Sequence, residues 1–247
     1  MEFKDYFSAT ARDYARVRPV PPARLIGWLA ELCERRDLAW DAGTGNGQTA
    51  AGLAAWFRRV AATDASRDQL AQAARRPNMI YVNSVAERSG LRSHTADLVT
   101  ASQAVHWFDI PAFFAEAARV LRPGGVIAVW VYTQPWMGAP FDDLLERFED
   151  VIHSFWPPER RIVIRRLRGL PFPFHELRPP GFAMSAELTL EGLRRYLETW
   201  SASQQYRAAR GRSPVDEIDA PLRAAWGDPA VARRLTWPLH LRAGRRV

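Results

Sequence analysis

A short glycine-rich segment carries the clearest chemical signal in the sequence. It reads Trp40-Asp41-Ala42-Gly43-Thr44-Gly45-Asn46-Gly47 and lies between an apolar run and a helical pattern. Glycines at such a turn let the backbone bend tightly and approach a ligand closely. Asp64 ends the next apolar run, about 20 residues after Gly43, and an acidic side chain there can accept hydrogen bonds from both hydroxyls of a ribose. The two features together predict a cofactor that contains a nucleoside.

Two cofactors fit this loop in principle. A dinucleotide is recognised by Gly-x-Gly-x-x-Gly with its pyrophosphate on a helix N-terminus, whereas Gln48 stands at the position of the third glycine. Asp41 directly precedes the turn and would repel a pyrophosphate, but it would attract the ammonium of a methionine moiety, directly or through water. The charge therefore favours S-adenosylmethionine. We expect four residues of this pattern to bind it: Asp41, Gly43, Gly45 and Asp64.

The segment after the fourth apolar run contains the candidates for the reaction itself. Methyl transfer from a sulfonium needs alignment and exclusion of water, and it needs a general base only where the acceptor is protonated. His106 is the best candidate base because imidazole titrates near neutral pH, although it is equally open that His106 only packs or forms hydrogen bonds. Trp107 is expected to cover the cofactor or wall the acceptor pocket, and Trp136 is a further candidate for that pocket.

Two residues near the start of the chain are further candidates for ligand contact. Tyr14 could meet the methionine carboxylate or the sulfonium face of the cofactor. Arg18 could pair with an acidic acceptor or with the cofactor carboxylate, and a surface helix cap is an equally open interpretation. The arginines of 160–168 could recognise a carboxylated substrate, but a solvated helix face is the favoured interpretation of that stretch.

Alternating apolar runs and helical patterns must position these residues. The apolar runs predict five strands: Leu38–Trp40, Val60–Thr63, Met79–Val82, Leu98–Ala101 and Val126–Val131. Strands that alternate with helices indicate an α/β fold, and continuous apolar strands indicate a sheet buried on both faces. Right-handed crossovers make it a Rossmann-like doubly wound sheet whose ligands bind at the carboxyl ends of the strands.

The remaining pattern predicts a single domain over 1–247. Residues 1–36 are expected to form helices, 37–132 the cofactor-binding core and 133–180 a helical insertion over the strand ends. Residues 181–247 are expected to add the C-terminal strands and helices. Within that last segment the pattern predicts strands at Ala183–Leu188 and Leu235–Leu241 and a helix at Leu190–Trp200.

Several segments resemble motifs of the class I methyltransferases. Asp41 to Gly47 is similar to their first motif, Asp64-Ala65-Ser66 to the acidic motif and Val85-Ala86-Glu87 to the segment against adenine. Residues 97–100 and 119–125 match the type 11 group. The resemblance implies a seven-stranded mixed sheet with an antiparallel last strand, and an N-terminal helical lid within 1–36 that closes over the cofactor. It also implies further cofactor-binding residues: Ala65, Val85, Ala86, Ser102 and Gln103. Val85 departs from the acidic or amide residue of many relatives, which leaves only a backbone bond to adenine.

A narrower resemblance points to the trans-aconitate methyltransferase-like group. The segments that show it are residues 103–109, Tyr14-Ala15-x-x-Arg18-Pro19, Thr199-Trp200-Ser201 and Thr236-Trp237-Pro238-Leu239. It implies a small carboxylic acid as methyl acceptor. A hydroxyl or amine of a secondary metabolite is the runner-up, and a non-catalytic module that binds the cofactor is the alternative of another class.

Composition argues against several other partners. The net charge is +7 and the pI about 10.2, but the basic residues are scattered arginines without interleaved aromatics, so we expect no nucleic-acid partner. Cys33, the single cysteine, lies far from the strand ends where a base-methylating nucleophile would act. We expect no metal and, without a signal peptide or a long apolar run, no membrane association and a cytoplasmic protein. The oligomeric state stays open.

Overall fold

The computed structural model describes residues 19–247, and elements are numbered along that range. Its strands are β1 (Leu38–Ala42), β2 (Arg59–Asp64), β3 (Met79–Asn83), β4 (Ala96–Ser102), β5 (Leu121–Tyr132), β6 (His175–Leu177), β7 (Ala183–Leu188) and β8 (Arg233–Arg245). Its α-helices are α1 (Ala23–Leu32), α2 (Gln48–Leu53), α3 (Arg67–Ala71), α4 (Ile110–Val120), α5 (Phe141–Ile152), α6 (Arg161–Ile164), α7 (Leu190–Glu198), α8 (Ser201–Arg210) and α9 (Asp219–Trp226).

The strands form one mixed sheet in the order β3-β2-β1-β4-β5-β8-β6, with β7 paired to β8 beside this path. Strands β1 to β5 are parallel, and β8 runs antiparallel to β5. The predicted doubly wound sheet with an antiparallel last strand is confirmed. In the part of the chain that the structure describes, the path has the seven strands expected, and β7 adds an eighth beside it because β8 is long: its first half pairs with β7, and its second half pairs with β5 and β6.

Strand β5 shows why the central sheet is covered on both faces. Along Val126–Val131 the side chains alternate between two hydrophobic cores, and all six are fully buried. One core lies under α4, and the other lies under α1 and α2. Alternation with no polar face is what a parallel sheet between two helical layers requires.

Helix α1 packs into the core instead of covering the cofactor site. Leu25, Ile26 and Leu29 are at most 2% exposed and lie in the core shared with β1, β2 and β5. The expectation of a lid over 1–36 is therefore wrong for this helix, because its apolar stripe faces the sheet. Residues 1–18, the remainder of the predicted lid, lie outside the described residues.

The segment 133–180 is helical at α5 and α6, as expected for the insertion. Helix α5 buries Phe141, Leu145 and Phe148 in a third core that also holds side chains of α7, α8, α9 and β8. A 3₁₀ turn at Pro158–Arg160 packs against the 3₁₀ turn Val105–Trp107, which follows β4. The insertion therefore reaches the carboxyl ends of the strands.

A buried carboxylate links three strands at their amino ends, opposite to the carboxyl ends that the insertion reaches. Asp97 in β4 is 3% exposed, and its Oδ2 accepts hydrogen bonds from the backbone N–H groups of Asp37 and Leu38 at 2.7 and 2.9 Å. Its Oδ1 lies 2.8 Å from the Arg122 guanidinium at the start of β5. One side chain thus fixes the entry of β1 and β5 relative to β4.

We expect Asp97→Ala to lower the free energy of unfolding by about 1–3 kcal/mol, because it leaves two backbone donors without their acceptor, whereas the Arg122 guanidinium keeps Asp37 and the Thr95 carbonyl. Denaturant unfolding measures the loss. Asp150→Ala is the control, since Asp150 is exposed on α5, and it should change stability by no more than about 0.5 kcal/mol. Equal effects of the two substitutions would contradict the role of Asp97.

Candidate active site

A cavity lies at the carboxyl ends of β1, β2 and β4. Its volume is about 420 Å³, within the range of small-molecule sites. The loop after β1, the end of β2, the loop after β3 and the segment after β4 form its walls. Doubly wound sheets bind ligands at this position because the chain crosses to opposite faces on either side of it.

The loop after β1 needs its glycines for two different reasons. Gly43, Gly45 and Gly47 all have φ between 57° and 83°, a region that side chains rarely adopt. A Cβ on Gly43 would also lie 2.6 Å from the Cβ of Ala104, whereas a Cβ on Gly45 would meet only the Gln69 amide oxygen, at 3.8 Å. Gly43 therefore lets the loop pack against the segment after β4, and Gly45 keeps the wall of the cavity open.

Asp64 is fixed at the wall of the cavity by backbone donors. Its Oδ2 accepts a hydrogen bond from the Gly45 N–H at 2.7 Å, and its Oδ1 accepts one from the Ser66 N–H at 2.8 Å. A carboxylate has about four acceptor positions, so it can also receive ligand hydroxyls in this orientation. Ser66 in turn caps α3 by accepting a hydrogen bond from the Gln69 N–H.

Asp41 lies behind the loop, and this position corrects the expectation of direct contact with a ligand. It is 1% exposed and is not among the lining residues. Its Oδ2 accepts the Thr44 hydroxyl at 2.6 Å and its Oδ1 the Thr100 hydroxyl at 2.7 Å. Burial raises the pKa of the Asp41 carboxyl to about 6, against the lowering effect of these hydrogen bonds. The side chain therefore anchors the loop to β4.

Gln103 has a strained backbone at the end of β4. Its φ of 51° is unusual for a residue other than glycine. The Gln103 side chain forms two hydrogen bonds with the end of β5. Its Oε1 accepts from the Tyr132 N–H at 2.8 Å, and its Nε2 donates to the Tyr132 carbonyl at 3.1 Å. Such strain persists only where surrounding contacts hold it, and it is concentrated at functional sites.

The structure brings most of the predicted cofactor residues to one cavity. Those among its lining are Gly43, Gly45, Asp64, Ala65, Val85, Ser102, Gln103 and Trp107. Ala86 instead points into the core under α4. Trp136, 61% exposed and bridged to Thr236 through the backbone, lies away from the cavity, because the chain leaves the strand ends before reaching it. Tyr14 and Arg18 lie outside the described residues.

His106 faces a second, smaller cavity of about 60 Å³, which shares Gln103, Trp107 and Tyr132 with the first. His106 is 8% exposed. Burial and then the nearby charge of Arg160 lower the pKa of its imidazole to about 3. A group with that pKa is a poor base at neutral pH, which favours the alternative that His106 packs, and its ring centre lies 4.6 Å from that of Trp107.

Sequence reasoning missed several lining residues. Glu159 and Met184 come from the insertion and from β7, where no motif signals ligand contact. Gln69 lines the cavity from α3 and is 4% exposed. Its amide lies shortly after the acidic motif in the sequence, and this proximity could have predicted a contact with the cavity. Between residues 19 and 247 no group of three or more His, Cys, Asp and Glu is placed to hold a metal ion. No helix in that range is long and apolar enough to cross a bilayer.

The raised pKa of Asp41 predicts a pH-dependent cost in stability. The pKa rises from an ordinary 3.8 to about 6 on folding, so the cost of ionising Asp41 appears between these values and is complete above pH 6. A shift of this size corresponds to about 3 kcal/mol. Between pH 4 and pH 7, the free energy of unfolding of Asp41→Asn should therefore gain about 3 kcal/mol relative to the parent. Urea unfolding at the two pH values measures this difference. The same change in the free energy of unfolding for Asp41→Asn and the parent would contradict the prediction.

Comparison with known proteins identifies the family. Residues 40–129 match the family model of a methyltransferase domain. A solved structure from Anaeromyxobacter dehalogenans, assigned as a type II methyltransferase, is 41% identical with a TM-score of 0.86, and the match covers 93% of this chain and 98% of that one. A Dictyostelium discoideum protein assigned as a methyltransferase is 28% identical over 91% of this chain and 88% of its own length.

A more distant neighbour shares the fold alone. The phosphoethanolamine N-methyltransferase 2 of Haemonchus contortus, solved with S-adenosylhomocysteine, is 15% identical with a TM-score of 0.51, and the match covers 100% of this chain and 60% of that one. The narrower resemblance to the trans-aconitate group stays a prediction. The motifs, the sheet and the relative that matches over nearly its whole length agree, and the chain therefore belongs to the class I S-adenosylmethionine-dependent methyltransferases and is an enzyme of that family.

Proposed function

We propose that the larger cavity binds S-adenosylmethionine and that the enzyme moves its methyl group onto a small acceptor bound beside it. The observation that carries this proposal is Asp64, held by two backbone N–H groups at the wall of a glycine-lined cavity. The ribose hydroxyls would donate to this carboxylate, and Ala65 and Val85 on the neighbouring loops would contact the adenosine.

The charge of the cavity supports this cofactor over a dinucleotide. Four of the described lining residues are acidic: Asp64, Glu87, Asp109 and Glu159. None of the described lining residues is Arg, Lys or His. A pyrophosphate would meet a negative field here, whereas the sulfonium and ammonium groups would meet a favourable one. The Haemonchus contortus neighbour holds the demethylated cofactor in the same fold.

The protein's own tasks are alignment and the exclusion of water. When bound, S-adenosylmethionine supplies a methyl group on a positively charged sulfur. Trp107, Phe108 and Met184 give the cavity its apolar walls, which keep water from the reacting atoms. Backbone hydrogen bonds to Asp64 and the two hydrogen bonds between Gln103 and Tyr132 keep the walls in place. Little reorganisation of the protein is therefore needed on binding.

A carboxylate is the acceptor that we favour, on the resemblance of residues 103–109 and of the C-terminal motif to the trans-aconitate group. The acceptor oxygen uses a lone pair to form the new C–O bond while the C–S bond breaks and leaves its electron pair on sulfur. An ionised carboxylate loses no proton in this step, so the lowered pKa of His106 does not impede it. O- or N-methylation of a secondary metabolite is the alternative, and it requires a base.

Thermal-shift titration tests the cofactor. Ligands that bind the folded state raise the melting temperature with concentration by mass action. We expect S-adenosylmethionine and S-adenosylhomocysteine to raise it, and NAD and NADP to leave it unchanged, because of the acidic wall. Stabilisation by NAD without stabilisation by the methionine cofactor would overturn the proposal.

Substitution of Asp64 tests the ribose contact. Charge-assisted hydrogen bonds contribute about 1.5–3 kcal/mol each, so Asp64→Ala should weaken S-adenosylhomocysteine at least about tenfold by calorimetry. Asp68→Ala removes the same charge from an exposed position on α3 and should leave the affinity within about twofold. Parental affinity in Asp64→Ala would show that this carboxylate does not hold the ribose.

A further inference from the structure

The residues that line the second cavity differ in charge from those that line the first. It lies beyond Gln103, Trp107 and Tyr132, which line both spaces, and its far wall is formed by Trp156 and Trp200. None of its described lining residues is acidic. A volume of about 60 Å³ has room for only a few non-hydrogen atoms, such as a small polar group of a ligand.

His106 lines this space and carries a buried polar atom. Its Nδ1 has no hydrogen-bond partner among the described residues, although the side chain is more than nine-tenths buried. Buried polar groups in folded proteins are nearly always paired, so such an atom in a cavity wall indicates a missing partner. The imidazole is neutral at physiological pH, since its pKa is about 3, and one of its nitrogens therefore carries a hydrogen that it can donate.

Arg160 places a fixed positive charge in the same wall. The centre of its guanidinium lies 3.2 Å from the centre of the Trp156 ring, and an ion pair with Glu149 holds its edge. The Trp156 Nε1–H also donates to Glu149, at 2.8 Å. Glu149 itself does not line the cavity. The stacked pair is thus pre-oriented, and the cavity meets the cation and not its counter-ion.

The geometry points to the second cavity as the subsite that holds a carboxylate of the methyl acceptor, with His106 donating a hydrogen bond to it and Arg160 supplying the charge. This inference rests on the proposed function, because the shared wall at Gln103 and Trp107 places the subsite next to the cofactor cavity. An ammonium group would meet a guanidinium and no carboxylate among the described lining residues, so the subsite selects acids against amines. His106 is then a specificity-determining residue and not a general base.

Binding of acetate to the protein saturated with S-adenosylhomocysteine tests the subsite without turnover. In protein labelled with ¹⁵N-histidine, acetate should shift the imidazole signal of His106 saturably, and methylammonium should not. Calorimetry then compares variants. Arg160→Gln and His106→Leu should each weaken acetate at least about tenfold, whereas His106→Asn, which keeps an amide donor near Nδ1, should lose less. Arg168→Gln, an exposed arginine of the same segment, should bind acetate as the parent does.

The cofactor measurement separates the two proposals. All four variants should keep the parental affinity for S-adenosylhomocysteine within about twofold, which also shows that they are folded. If the parent does not bind S-adenosylhomocysteine, the proposed function fails. If it binds S-adenosylhomocysteine but not acetate, or binds methylammonium as well as acetate, the subsite is refuted. Acetate affinity that is equal in the parent, Arg160→Gln and His106→Leu also refutes it.

Discussion

The cavity that we propose for the cofactor depends on two carboxylates that hold one glycine loop from opposite sides. Asp41 receives the hydroxyls of Thr44 and Thr100 beneath the loop, and Asp64 receives the Gly45 N–H at its outer side. Three glycines allow the loop to follow this path, but glycine is also the residue that loses most conformational freedom on folding. Hydrogen bonds to fixed acceptors offset that loss, and the loop can present backbone to a ligand without large rearrangement.

Burial separates the roles of these two carboxylates. Both are acidic residues at the ends of neighbouring parallel strands, and in the sequence they look equivalent. Asp41 is enclosed by two hydroxyls and a layer of core side chains, whereas Asp64 reaches the cavity. The spacing of the motif therefore placed both acids near the carboxyl ends of their strands, but it could not tell which of them reaches the cavity, because that depends on Thr100, which lies on another strand.

The same contrast between local and long-range information explains the rest of the comparison between sequence and structure. The five parallel strands and the capped start of α3 were predictable, because apolar runs and a serine cap are local signals. The lid expectation was wrong for α1, since an apolar stripe shows that a helix buries a face without showing against what. Glu159 and Arg160 reach the two cavities only because the insertion folds back onto the turn after β4, and no spacing within the sequence encodes that return.

The late position of β8 in the sequence has a consequence for folding of the chain during synthesis. Strand β5 presents an uninterrupted apolar run over Val126–Val131, and the strand that covers its outer edge is Arg233–Arg245, about 100 residues later. Until those residues leave the ribosome, β5 is an unpaired hydrophobic edge, the feature that most readily recruits strands of other chains. Pairings this distant in sequence also form slowly. In the nascent chain that edge is therefore open to pairing with strands of other chains until β8 has been synthesised.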